Sequence, residues 1–330
     1  MRPSRSSALL LACTAACAAP QARAQSTGTT GAPEGAAFLL IPVGARATAL
    51  GQAAVADGGS TESIFWNPAG LADLKKTQIA LHHYAAFFGN GDAFVVAVPA
   101  AVGTFGAAAY IVDYGDFPIT LPGGGGTVGN GITRNIALAL SYATTVAGGF
   151  SAGITYKLIQ FRVDCSGDCA TVPDAVGTTH AIDVGVRFAL PRDVPIVLGA
   201  TLRNLGFKLQ VNNQAQADPL PTRLQVGMAW LVVRRPAGVE GFDVRVLADL
   251  QGTIGQGNPS PATLLGVDTG IRDALRVRAG YAFVDSQQRG PSLGVGVKVG
   301  RLGLDLAKTF YPSDQLGERD PFHVSLRLDF

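Results

Sequence analysis

The sequence predicts an all-β fold: a transmembrane antiparallel β-barrel of about 14 strands with a short N-terminal plug segment. Three observations predict it. Glycine supplies 42 of 330 residues and charged residues only 15%, against about 7% and about 25% in soluble domains. Many segments alternate apolar and polar residues with period two, the pattern of strands with two unlike faces. Connections between these segments alternate short and long, as in barrels with tight turns on one side of a membrane and longer loops on the other.

Composition excludes other classes. An apolar share of 47% excludes a disordered chain. The glycine content argues against a helical bundle, since glycine weakens helix interiors. A net charge of +2 leaves no basic footprint for nucleic acid.

Residues 1–24 read as a secretory signal peptide. Arg2 and Arg5 form a positive start, Ser6 to Pro20 is uncharged, and Ala22-Arg23-Ala24 is a small-x-small cleavage site. Leu10-Leu11-Ala12-Cys13 loosely resembles a lipoprotein box, the alternative reading of this stretch. Cys13 and Cys17 leave with the signal. Cys165 and Cys169 remain, close enough in sequence for a disulfide after export. A zinc site lacks further ligands nearby, the histidines being His82, His83, His180 and His323.

Residues 25–75 form an apolar segment without strand periodicity. Residues 26–35 are rich in Gly, Thr and Pro. A short helix is expected over Ala45–Ala56, ended by Asp57-Gly58-Gly59, and a turn at Asn67-Pro68-Ala69-Gly70. In a barrel this segment is expected to plug the mouth on the short-turn side.

Residues 76–330 form the barrel. Ala93–Val112 and Ile136–Tyr156 carry no charge over 20 and 21 residues, long enough for a membrane helix. Pro99 with Gly103, and Gly148 with Gly149, break each into strand, turn and strand. Strands are expected near 77–86, 92–99, 103–114, 132–145, 149–163, 179–190, 195–207, 221–233, 241–251, 260–271, 274–283, 290–299, 301–310 and 321–330. Long loops are expected at 115–131 and 164–178, among others. The last strand alternates most strictly, with Phe322, Val324, Leu326, Leu328 and Phe330 on its apolar face. Asp183, Arg187, Asp243, Arg245, Asp268, Arg272, Arg276, Arg278, Lys298, Arg301, Asp305, Arg327 and Asp329 belong to polar faces, which must point inward because a charge facing lipid costs ~2–4 kcal/mol at midplane. Their mixed signs predict an ion-paired, partly filled lumen rather than a selective pore. Aromatic girdles are expected from Phe87, Phe88, Tyr110, Tyr114, Phe161, Phe207, Phe283, Phe310 and Tyr311 at the long-loop end, and from Trp230, Phe242 and Phe330 at the other.

Phe38-Leu39, Gly44-Ala45-Arg46-Ala47, Leu50-Gly51, Ala56-Asp57 and Trp66-Asn67-Pro68-Ala69-Gly70-Leu71 together resemble the N-terminal signature of PorV/PorQ-type outer-membrane proteins, which are associated with type IX secretion and belong to the wider FadL-like barrels. Leu202-Arg203-Asn204-Leu205-Gly206, Leu220-Pro221-Thr222 and Arg278-Ala279-Gly280-Tyr281 resemble further stretches of that family. Two positions depart from it: Gln52 follows Gly51 and Gly58 follows Asp57. The resemblance implies a 14-stranded barrel in the outer membrane of a Gram-negative-type bacterium, with Gly44, Arg46, Gly51, Asp57, Trp66, Asn67, Pro68 and Gly70 as plug signature. It implies that Phe330 ends a C-terminal insertion signal read by the barrel-assembly machinery.

Enzymatic patterns fail on context. Gly149-Phe150-Ser151-Ala152-Gly153 matches a nucleophile elbow, which needs a helix after it; a strand continues instead. Gly124, Gly126 and Gly129 match a dinucleotide fingerprint with no helix behind them. The run Gly123–Gly126 reads as a loop tip. Asp164, Asp168 and Asp174 lack EF-hand spacing for Ca²⁺. The expectation is a non-enzymatic barrel without cofactor or metal, with outer-membrane lipid and the assembly machinery as partners. Two functions lead: assistance in export or surface attachment of secreted client proteins, and passive transport of hydrophobic ligands through a pocket at Phe38, Leu40, Ile64, Phe65 and Trp66; a barrel enzyme or a purely structural protein is the third reading.

Overall fold

Residues alternating between lipid-compatible and polar side chains form a stable membrane wall only when every strand edge is paired. The chain meets this condition. The computed structural model describes residues 34–86, 89–121, 125–167, 175–191, 193–211, 217–234, 241–255, 261–272, 274–284, 290–310 and 320–330. Residues 1–24, expected to be a signal peptide, with Cys13 and Cys17, and Phe87, Phe88, Gly123, Gly124, Asp168, Cys169, Asp174 and Tyr311, lie outside the described residues.

Fourteen antiparallel strands close into one barrel. They are β1 (Gln78–Ala86), β2 (Gly89–Ala100), β3 (Gly103–Leu121), β4 (Gly125–Ala147), β5 (Phe150–Gly167), β6 (Ala175–Ala189) and β7 (Ile196–Gly206). The other half holds β8 (Arg223–Arg234), β9 (Phe242–Thr253), β10 (Ala262–Ile271), β11 (Leu275–Phe283), β12 (Gly290–Val299), β13 (Leu302–Thr309) and β14 (Phe322–Asp329). Closure is made by β1 on β14, from Gln78 opposite Asp329 to Ala85 opposite Phe322. Just beyond, Phe330 N donates to Thr77 O at 2.9 Å.

The outer surface is apolar around the circumference. Leu81, Phe94, Leu140, Ile154, Val184, Leu250, Val267, Leu293 and Leu326 are all exposed. The opposite face of the same strands is buried although polar, with Thr155, Asp183, Gln225 and Asp268 wholly inaccessible. That inversion of the soluble pattern marks a wall with lipid-like surroundings outside and protein inside.

The structure corrects several expectations. The described residues of 115–131 and 164–178 are strand rather than loop: β3 runs to Leu121 and β4 starts at Gly125, and β5 runs to Gly167 and β6 starts at Ala175. Polar and glycine-rich residues here keep pairing, Asn130 opposite Ser166 for example, because strand propensity depends on cross-strand partners more than on side-chain type. Gly125 and Gly126 therefore belong to β4 rather than to a loop tip. The girdle is also smaller than expected. Tyr110 is buried inside the barrel with Phe38, and Tyr114 and Phe161 pack on the same cluster. Phe242 is half-buried. Phe207, Phe283, Trp230 and Phe330 do face outward. Cys165 is disulfide-bonded.

The N-terminal segment fills the lumen. A 3-10 turn covers Ala37–Leu40, helix α1 only Ala45–Ala49, helix α2 Ser63–Trp66, and a second 3-10 turn Pro68–Asp73. The expected helix to Ala56 stops early because Gly51 and Gln52 both adopt left-handed φ, 61° and 68°. Leu50, Ile64 and Leu71 are completely buried against the wall, each burial contributing about 1.5–3 kcal/mol.

Candidate functional site

The plug is longer in reach than a cap on one mouth. Its described start, Glu34, forms a bidentate pair with Arg223 at the beginning of β8, with contacts of 2.6 and 2.8 Å. Gly35 N donates to Pro219 O at 2.9 Å. Both partners belong to the long-loop end. From there the segment descends to Leu74 beside β1, so it spans the lumen from one end towards the other.

The signature residues form one interlocked unit. Gly44 opens α1 at φ 96°, and a Cβ there would fall 2.2 Å from Glu62 Cδ. The Glu62 carboxylate accepts the free amides of Arg46 and Ala47 at 3.3 and 3.0 Å. Arg46 Nη2 donates to Asp57 Oδ1 at 2.7 Å, and Arg245 Nη1 on β9 donates to the same oxygen at 2.9 Å. Trp66 Nε1 donates to Val43 O at 3.0 Å. Asn67 Oδ1 caps the turn that follows by accepting Ala69 N at 3.1 Å, while Nδ2 donates to Val55 O at 2.7 Å and to Val186 O on β6 at 3.1 Å. Pro68 sets the first position of that turn. Gly70 lies against Ser63 and Asp57 O, with no room for a side chain.

Ionisation of the two buried plug carboxylates differs for physical reasons. Burial pushes Asp57 up, but Arg46 and Arg245 outweigh it and hold the carboxyl well below the usual carboxylate range. Burial pushes Glu62 up to about 7, reinforced by Asp305 and opposed by Arg46.

The wall accommodates the plug through glycines to which the sequence assigned no plug-facing role. Gly153 faces Gly185, Gly199 faces Gly227, and Gly266 faces Gly280 across neighbouring strands. A Cβ at Gly185 would lie 1.9 Å from Asn67 Oδ1, and one at Gly280 2.0 Å from Gly51 N. The available signal was glycine recurring at inward positions of strands, where it weakens the strand unless another backbone approaches. Glu62, Asp249, Ser292 and Ser325 were likewise missed. Ser325 Oγ accepts Ala45 N at 2.8 Å, Ser292 Oγ accepts Gly51 N at 3.1 Å, and Asp249 accepts Val55 N at 2.9 Å. Nothing local in the sequence distinguishes these from other polar inward residues.

The downstream family-like stretches prove to be contact points. Asn204 adopts φ 58° where the β6–β7 pairing shifts register. Its amide donates to Asp183 at 2.7 Å, its side chain to Pro221 O at 3.1 Å, and it receives Lys157 Nζ at 2.8 Å. Lys157 also pairs with Asp183 at 2.6 Å. Arg203 lies 4.9 Å over the Trp66 ring and donates to Phe65 O, Gln225 and Gln251 at 3.1, 3.1 and 2.9 Å.

Two spaces result. The first is a small apolar pocket of about 30 Å³ between plug and wall, lined by Leu39, Leu40, Ile41, Val43, Phe65, Trp66, Tyr110, Ala137 and Ala139, with Lys157 and Arg203 at one side. It contains Leu40, Phe65 and Trp66 of the five expected pocket residues. Phe38 packs beside it, 5.9 Å from the Tyr110 ring, whereas Ile64 belongs to a separate cluster with Leu71 and Val95. The second is a polar cavity of about 770 Å³ at the short-turn end, between Arg46 of the plug and the ends of β9–β14. Among the described residues no cluster of three or more potential metal ligands occurs.

No known family model matches the chain and no curated protein sequence matches it. Solved structures do. The toluene transporter TodX of P. putida aligns with a TM-score of 0.60 at 12% identity, over 87% of this chain and 98% of that one. The CymD monoaromatic hydrocarbon channel aligns at 0.57 and 13%, over 88% and 98%. A Pseudomonas aeruginosa FadL homologue aligns at 0.53 and 13%, over 88% and 99%. At these identities the likeness concerns the fold alone.

Proposed function

We propose that this chain is a non-enzymatic outer-membrane barrel for passive passage of small hydrophobic molecules. The observation that carries the reading is the apolar pocket enclosed between Leu39–Val43 and the wall, with Trp66 and Tyr110 on its sides. An apolar space inside the barrel, with Lys157 and Arg203 at one side only, has a use for an apolar solute. The solved barrels of similar fold named as transporters or channels of hydrocarbons support the same reading. At about 30 Å³ the pocket is about the size of one water molecule's share of liquid volume. Occupancy therefore displaces Leu39 to Val43, and the state described is the closed one.

Outer-membrane placement is part of the proposal and rests on the closed barrel and its apolar exterior. A signal peptide over residues 1–24 and insertion through a signal ending at Phe330 complete it. The export role implied by the PorV/PorQ resemblance is the weaker reading, since client binding at the loops does not call for an apolar pocket in the lumen.

The test uses the two tryptophans of the sequence. With Trp230→Phe, Trp66 becomes the sole reporter. Titration of the detergent-solubilised barrel with toluene is expected to change Trp66 emission saturably, and vesicles containing the barrel are expected to take toluene up faster than empty ones. No saturable change together with no added flux overturns the reading. A secreted protein co-purifying with such an inert barrel would restore the export role.

A further inference from the structure

We propose that the polar cavity at the short-turn end is a binding site for a small multivalent oxyanion, such as a phosphate group. The inference is independent of the hydrophobic pocket, which lies elsewhere in the lumen and shares no lining residue with it.

Seven cationic side chains and three carboxylates line this cavity of about 770 Å³, a volume within the ~300–1,000 Å³ of small-molecule sites. The carboxylates are shared among cations rather than matched one to one. Asp268 contacts Arg245, Arg276 and Arg278. Asp57, behind the lining, serves Arg46 and Arg245. Asp329, also outside the lining, serves Lys298 at 3.1 Å and Arg327 at 3.4 Å. Each guanidinium carries five N–H donors in a planar fork, so shared carboxylates leave donor capacity over. The Nε atom of Arg46 is buried without a hydrogen-bond partner. A tetrahedral oxyanion supplies several acceptor oxygens and pairs with guanidinium forks in bidentate geometry.

Position favours the same occupant. The cavity lies where the plug ends and the short turns begin, so a soluble anion reaches it without crossing the plug. Lys298 is half-exposed there, its side chain 45% accessible, whereas Arg278 at 5% is fixed deep in the wall. A cleft of one predominant sign with low-dielectric walls concentrates counter-ions. Arg245 and Arg278 are held by two carboxylates each and form the floor. Lys298 and Arg327 share one carboxylate and are the groups placed to engage a ligand.

The probe is inorganic pyrophosphate on the intact barrel in detergent, against sodium chloride at matched ionic strength. Pyrophosphate is expected to raise the midpoint of thermal unfolding by several degrees and to bind with a stoichiometry near one by calorimetry. Lys298→Gln combined with Arg327→Gln is expected to weaken binding at least tenfold, while Lys298→Arg with Arg327→Lys retains most of it. Heat-modifiable migration in detergent gels verifies that both variants form the barrel. Equal responses to pyrophosphate and chloride overturn the site, as does a pyrophosphate response unchanged in the double glutamine variant. A short-chain phosphatidylglycerol competing more strongly than glycerol phosphate would assign the anion to a lipid headgroup, and equal competition to a free oxyanion; either result requires the site.

Discussion

Asp57 of the plug and Arg245 of β9 are joined by a 2.9 Å hydrogen bond, and through it the plug enters the ion network of the wall. Arg46 meets the same carboxylate oxygen from within the plug, and Arg245 continues to Asp268. The plug and barrel are thus electrostatically one body. Removing one partner of a buried pair leaves an uncompensated charge, which costs about 3–5 kcal/mol. Asp57→Asn is expected to lower stability by about 3 kcal/mol at neutral pH, read as the shift in the urea midpoint. Because the folded-state value of Asp57 is depressed, its contribution is complete above about pH 4 and falls away only as pH drops further. The deficit of the variant should shrink in acid.

Glu62 acts with the opposite sign. Its folded-state value of about 7 lies above the ordinary 4.5, so the folded barrel favours the protonated carboxyl. Stability from this group is full below about pH 4.5 and is lost as pH rises through about 7. Glu62→Gln is expected to flatten the profile between these values and to stabilise the barrel above them by on the order of 3 kcal/mol. Urea midpoints collected from pH 4 to 8 decide this; an unchanged slope in the variant would sink it.

The glycine pairs predict a steric phenotype. At Gly185 a Cβ meets the Asn67 carboxamide oxygen at 1.9 Å. The wall backbone cannot yield without breaking its ladder, so the plug must. Gly185→Val is expected to keep the heat-modifiable barrel while costing about 1–3 kcal/mol from overpacking. Single-channel conductance, small with the plug seated, should rise.

Lumen charges predict graded effects. Asp305 accepts from Arg278 at 2.6 Å, where Arg278 is nearly inaccessible. Arg276 pairs with Asp243 at 2.9 Å in a more open place, its side chain 29% accessible. Asp305→Leu should therefore destabilise more than Arg276→Leu, by about 3 kcal/mol against about 1 kcal/mol. Equal losses in thermal midpoint would argue that both pairs are equally solvated.

The barrel was legible in the sequence because alternation is a local signal. Leu326 and Leu328 announce an outward face and Arg327 an inward one whatever lies across the strand. The plug signature was legible as a motif, and its residues do meet. What was not legible depends on partners distant in sequence. Tyr110 looks like a girdle residue until Phe38, 72 positions earlier, fills the space inside the wall. Glu62 is an ordinary acid until Gly44 and the amides of Arg46 and Ala47 surround it. The extended β3–β6 region was missed because its residues are poor strand formers, held by one another.

Glu34 and Arg223 give the last prediction. Their two contacts, at 2.6 and 2.8 Å, tie down the start of the plug at the long-loop end, and the residues that close the apolar pocket follow directly at Leu39 to Val43. The pair is only slightly accessible, 15% and 11%, so it is stronger than an exposed salt bridge. Arg223→Gln removes the bidentate partner but leaves Asp57, Asn67 and the glycine contacts deeper in the lumen intact. The lower plug should stay seated while Glu34 to Val43 loosens. A cysteine placed by Leu39→Cys should then react with a small thiol reagent at least tenfold faster in the Arg223→Gln background, and Trp66 should respond to toluene at a faster rate. Faster labelling without faster response would mean that this segment covers the pocket without controlling entry, and unchanged labelling would mean that the pair does not hold it.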